Sequence, residues 1–107
     1  MDEQNELVEV AMQIILKAGD ARNCATEALK FAKKGDFNSA QEYYNKAVEN
    51  ITLAHKAQTN VIQAEARGES HDYNLLFAHA QDTLMTIKSE LFFVEEMIDV
   101  LKIVYRK

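Results

Sequence analysis

A chain of 107 residues is one domain by length, and a domain near that size hides only about 65% of the surface its unfolded chain exposes, so self-association would help it. A net charge of −5 and a sequence pI near 5.1 argue against nucleic acid or anionic lipid as partners, since both call for a basic surface. The apolar runs are too short to cross a bilayer, and the acidic start Met1-Asp2-Glu3 has no positive n-region, so a cytoplasmic location is expected.

Proline is absent and glycine occurs three times, while Ala, Leu, Glu, Lys and Gln favour helix nearly everywhere. The first helix, expected over about 4–34, carries an apolar seam of Leu7, Ala11, Ile14, Ala18, Ala21, Ala25, Ala28 and Ala32. Steps of three and four residues suit helices packed side by side, and the alanines let neighbours approach closely. Gly19 lies within this stretch, yet the seam keeps phase across it, so one helix is expected. Cys24 has no partner for an internal disulfide and reads as a buried structural thiol.

Gly35 follows Ala32-Lys33-Lys34 in the position of a left-handed C-terminal cap, and Asp36 can cap the second helix. That helix, expected over about 37–67, has the seam Phe37, Ala40, Tyr44, Ala47, Ile51, Ala54 and, after a slip at Gln58, Val61. Gly68 ends it the same way, and Ser70 or Asp72 can start the third helix, expected over about 72–106. There the seam is Phe77, Ala80, Leu84, Ile87, Leu91, Val94, Ile98, Leu101 and Tyr105. Three helices of about 30 residues, each about 45 Å long, make an all-α, up-down-up antiparallel bundle filling a single domain over 1–107.

The third helix has more apolar surface than two partners can cover. Leu75, Phe93 and Val100 form a second stripe that continues through His79, Asp82, Thr86 and Ser89, which points to a symmetric subunit contact with a functional polar part. Within Phe77-Ala78-His79-Ala80-Gln81-Asp82-Thr83, Asp82 and Thr83 stand three and four residues after His79, on one helical face. A neutral imidazole is a nucleophile toward phosphorus, and a nearby hydroxyl can donate to phosphoryl oxygens. Taken alone, a histidine three residues before an aspartate is ordinarily a polar surface pair.

The segment His79-Ala80-Gln81-Asp82 followed by Leu84-Met85-Thr86 resembles the active-site signature of the lactose/cellobiose family of enzyme IIA, from the bacterial phosphoenolpyruvate-dependent sugar phosphotransferase system. Ala18-Gly19-Asp20-Ala21-Arg22, Ala28-Leu29 with Ala32-Lys33-Lys34-Gly35-Asp36-Phe37, and Ala54-His55-Lys56-Ala57-Gln58-Thr59 match the family in the same order, so the resemblance covers nearly the whole chain. It implies a homotrimer of nine helices. It also implies that His79 takes a phosphoryl group from the phosphocarrier HPr and passes it to a cysteine of enzyme IIB during uptake of a β-linked disaccharide of the cellobiose, chitobiose or lactose class. The membrane sugar permease is then met only indirectly. Asp82 matches the family aspartate that meets its symmetry mates on the trimer axis around a divalent cation such as Mg2+, and Gln81, in the same motif, is counted with His79 and Thr83 in the catalytic set as a residue that could orient a partner or the phosphate, without a firm role. Thr83 departs from the second histidine common at this position: its hydroxyl can donate a hydrogen bond but cannot become cationic.

His55 and His71 read as structural and loop residues, Tyr43, Tyr44 and Tyr73 as packing aromatics, and Met85 and Met97 as core or interface filler. The rival reading is a non-catalytic adaptor. Gly35-Asp36-Phe37-Asn38-Ser39-Ala40 with Tyr43-Tyr44 and Ala47 resembles a tetratricopeptide- or MIT-type hairpin that binds a partner peptide, although no repeat at a period of about 34 residues accompanies it. A third reading is a plain helical assembly in which His79 and Asp82 only mark register.

Overall fold

The computed structural model describes residues 3–69 and 72–107, which form α1 (Glu3–Lys33), α2 (Phe37–Ala66) and α3 (Leu75–Arg106). The turn after α1 and the turn after α2 are built alike. Gly35 and Gly68 take φ of 83° and 91°, the left-handed region that side chains disfavour. Each is followed by a bond closing the helix end, Asp36 N–H to the Phe31 carbonyl and Glu69 N–H to the Ala64 carbonyl, so carbonyls that the last turn would orphan are satisfied. Asp36 then caps α2, its carboxylate accepting from Ser39 N–H at 3.1 Å.

The start of α3 differs from expectation. Ser70 and His71 lie outside the described residues, Asp72 precedes the helix, and Asn74 is its cap, extended at φ −132° and ψ 115° with its side-chain oxygen accepting from Phe77 N–H at 2.9 Å. Three cap-competent residues stand close together in the sequence, and the backbone conformation selects the last of them.

Packing follows the seams. All eight α1 positions are buried, joined by Ala40, Ala47, Ile51, Ala54 and Val61 of α2 and by Phe77, Ala80, Leu84, Ile87, Leu91 and Ile98 of α3. Arg22 pairs with Glu90, and Tyr105 reaches Lys33, so α1 and α3 run parallel with α2 antiparallel to both. α1 packs broadly against the other two, whereas α2 and α3 share the narrowest contact. The bundle measures 57 × 21 × 18 Å.

Two seam expectations and the reading of Cys24 are corrected. Gln58 does not interrupt the α2 seam: it occupies the seam position four residues after Ala54 and is buried. Tyr105 is half exposed, because the last turn of α3 extends to the level at which α1 has ended. Its ring meets Phe37 edge-on at 5.5 Å, and its hydroxyl donates to the Lys33 carbonyl at 2.6 Å. Cys24 is partly rather than fully buried, packed against the core from outside.

A Cβ on Gly35 would sit 2.6 Å from Tyr105 Cε1 at a positive φ. Gly35→Ala therefore carries both backbone strain and a clash, and should lower Tm by about 5–10 °C in a calorimetric scan. The Ser39 backbone and side-chain hydrogen bonds hold the Asp36 carboxyl below its ordinary value. A depressed folded pKa means that this stabilisation is complete above the ordinary aspartate pKa and is lost as pH falls through the lowered one. Asp36→Ala should accordingly flatten the acid limb of the stability curve in that window and leave its slope near neutrality unchanged.

Candidate functional site

The site is built on the outward flank of the first two turns of α3. Burying Phe77, Ala80 and Leu84 against α1 and α2 fixes which side of α3 faces inward, and at 100° per residue His79 and Asp82 then project away from the core. Both are exposed. Among the described residues, no hydrogen bond or ion pair engages the His79 ring or the Asp82 carboxylate, and none joins the two to each other. Thr83 is partly buried beside them, and its hydroxyl donates to the backbone carbonyl of His79 at 2.9 Å. This bond to the preceding turn is usual for threonine in a helix and sets the hydroxyl one turn below the imidazole.

Gln81 does not join them. Residues two apart on a helix point to nearly opposite sides, and the Gln81 side chain turns toward α2, where its carbonyl oxygen accepts from Gln58 Nε2 at 3.2 Å. Among the described residues Gln58 is the buried polar side chain of the core, 7% exposed. The bundle thus separates the motif into an outward trio, His79, Asp82 and Thr83, and an inward anchor, Gln81. The sequence signal for the anchor was a glutamine standing where the α2 seam required an apolar residue.

A crevice of about 340 Å³ at this end of the bundle is lined by Leu7, Val61, Tyr73, Phe77 and Gln81 among others. His79 lies outside it, on open surface. The second stripe is likewise exposed along α3, with Leu75, Phe93 and Val100 each at least half accessible. Met85 and Met97 are exposed too, which makes them surface rather than core. His55 is exposed on α2 and stands 3.4 Å from Lys88 Nζ through its Nδ1, away from the outward trio. Across the α1–α3 groove, Arg22 grips Glu90 with two bonds, at 2.7 and 3.1 Å.

As a metal ligand, Asp82 supplies one carboxylate per chain. Among the described residues, no group of three or more His, Cys, Asp or Glu side chains gathers to hold an ion. A hard cation requires several oxygens, so a site at Asp82 needs carboxylates from further copies, and an exposed, unpaired carboxylate on the outward face fits that requirement. No helix is long and apolar enough to cross a membrane among the described residues.

Comparison with known proteins agrees with this architecture. The family model described as the lactose/cellobiose-specific IIA subunit of the phosphotransferase system matches residues 9–102. The lactose-specific EIIA component of Staphylococcus epidermidis is 42% identical over 83 residues, covering 78% of this chain and 80% of its own. Among solved structures, the cellobiose-specific enzyme IIA from Bacillus anthracis superposes with a TM-score of 0.90 at 41% identity, over 100% of this chain and 95% of that one. The IIA(Chitobiose) of Escherichia coli, solved in complex with HPr, gives a TM-score of 0.80 at 31% identity, over 98% of this chain and 99% of that one.

Proposed function

This chain belongs to the lactose/cellobiose-specific IIA family and is a phosphotransferase system enzyme IIA component, and from that premise we propose that His79 carries the phosphoryl group, received from HPr and delivered to a cysteine of enzyme IIB. The observation that carries this reading is the open imidazole of His79 on the outward flank of α3, without a partner among the described residues. A nucleophile that meets two proteins in turn must lie on a surface rather than in a pocket. The HPr complex of the chitobiose relative supports HPr as the donor. The transported sugar is a β-linked disaccharide, in keeping with relatives named for lactose and N,N'-diacetylchitobiose, beside others named for lichenan and oligo-beta-mannoside.

The transfer is in line. The unprotonated ring nitrogen of His79 attacks phosphorus, the new N–P bond forms, and the N–P bond to the donor histidine breaks as that ring takes back its electron pair. In the second step a thiolate of enzyme IIB attacks the same phosphorus, forming an S–P bond and releasing the His79 imidazole. A loose transition state makes positioning the main requirement. The Thr83 hydroxyl, held by the His79 carbonyl, would supply a neutral donor one turn from His79 where the family commonly has a second histidine.

The working assembly is a homotrimer packed through the outward stripe of α3. Leu75, Phe93 and Val100 supply apolar contact there. Asp82 from each copy faces the symmetry axis, where a divalent cation such as Mg2+ would offset the mutual repulsion of three carboxylates. The adaptor reading lacks a comparable observation, because the Phe31–Tyr43 stack and the Tyr44 hydroxyl are spent within the bundle.

Two measurements test this reading. Incubated with phosphoenolpyruvate, enzyme I and HPr, the protein should gain one acid-labile phosphoryl group located at His79, and His79→Ala should gain none; a phosphorylated His79→Ala chain would refute the assignment. Asp82→Leu should remain trimeric by light scattering after chelation of divalent ions, since replacing repelling carboxylates by apolar groups is commonly neutral or stabilising. Monomers would exclude the axial position.

A further inference from the structure

We infer that Gln58, on α2, is a positioning residue for the reaction: through its hydrogen bond to Gln81 it fixes the roll of α3 and thereby the direction in which His79 is presented. The inference rests on the assignment of His79 as the phosphoryl acceptor.

The contact between α2 and α3 is the narrowest in the bundle, and near the site the α2 surface is small or short: Ala54, Ala57 and Val61. Apolar contact is non-directional, and surfaces with few large knobs hold rotation weakly. The outer side of α3 is itself apolar in its second half, where Phe92, Phe93, Val100 and Ile103 are exposed. Burial alone therefore distinguishes neighbouring roll angles poorly along much of α3.

A hydrogen bond between a buried amide and a partly buried one is directional. Gln58 is 7% exposed and donates to the Gln81 carbonyl oxygen at 3.2 Å. Breaking that bond leaves a buried polar group unsatisfied, so the roll that preserves it is selected over those that do not. Buried polar residues fix register and orientation in other helical assemblies by the same means, with little net stability gained. Gln81 and His79 stand about 160° apart around α3, so any roll that displaces one swings the other. With side chains about 5–6 Å from the helix axis, a roll of about 20° moves the imidazole by about 2 Å. For in-line transfer between two docked proteins, a shift of that size matters.

The test compares Gln58→Leu, Gln81→Leu and the double variant for Tm, for the kcat/KM of phosphoryl gain from phosphorylated HPr, and for the NMR signals of the His79 ring in the unphosphorylated protein. Gln58→Leu should keep or raise Tm, because an apolar residue fills the seam, yet lower kcat/KM about tenfold and broaden or double the ring signals. Gln81→Leu should lower Tm by stranding the Gln58 amide, and the double variant should recover Tm while transferring no more slowly than Gln58→Leu alone. A Gln58→Leu protein with wild-type kcat/KM and one sharp set of His79 signals would overturn the inference. A loss of rate tracking a fall in Tm would overturn it too, showing plain packing. The ring signals are read without phosphorylation, so they test Gln58 even if His79 proved not to be the acceptor.

Discussion

Close approach of α1 to its neighbours through an alanine seam constrains the rest of the molecule. Ala11, Ala18, Ala21, Ala25, Ala28 and Ala32 are buried, and with so little side chain between them the helix axes draw together. The interior is correspondingly thin, and the largest side chains fully enclosed in it are Ile14, Leu84 and Ile87. A bundle of this kind cannot take in the remaining large apolar residues. They stay outside, on α3 above all, and the outward face that results is where His79, the proposed acceptor, stands.

A thin core also changes what specifies the structure. Apolar burial decides that three helices pack, and directional contacts decide how they sit. Beside the contacts of the Tyr44 hydroxyl with the Leu91 carbonyl and of His55 with Lys88, three stand out: Gln58 with Gln81, Arg22 with Glu90, and Tyr105 with the Lys33 carbonyl. Each ties a different pair of levels. Tyr105 covers the exposed end of α1 at the distal tip, the Arg22–Glu90 pair holds α1 to α3 midway, and the glutamines join α2 to α3 one turn from the site. The ion pair is about half exposed at both partners, so its contribution is small and sensitive to salt. The amide pair, with Gln58 buried and Gln81 partly so, carries no net charge for salt to screen.

Much of this was legible in the sequence because helix periodicity and glycine chemistry are local. The α1 seam needed only the spacing of its alanines, and Gly35 and Gly68 end their helices where a Cβ-free residue is required. The resemblance to the IIA family rested on four short segments, and the family model and relatives agree with it. What escaped was non-local. Ser70, Asp72 and Asn74 are chemically similar caps, and only the chain path separates them. Gln58 looked like a slip because a periodicity argument treats any polar residue as an interruption, whereas here its partner lies on another helix. Tyr105 kept the right period but ran past the end of α1. The direction of Gln81 and the bond from Thr83 to the His79 carbonyl depend on rotamers, which spacing does not determine.

A carrier that serves two partners in succession faces opposing demands. The nucleophilic nitrogen must be open to each partner, which excludes burial, while its position must be reproducible to well under the length of a bond between residues, which excludes a mobile loop. A helix with one face locked and the other free satisfies both, since the backbone beneath His79 is held by hydrogen bonds on every turn and the side chain meets solvent. That solution leaves apolar residues on the same exposed face, and in the proposed trimer the copies cover them. With Asp82 on the axis, His79 on the flank of the same stripe would stand at the edge of the covered region, beside a subunit boundary. Docking surfaces for HPr and enzyme IIB would be assembled from more than one copy, and the small single chain would gain through assembly both the burial its alanine core withholds and a broader platform around one atom.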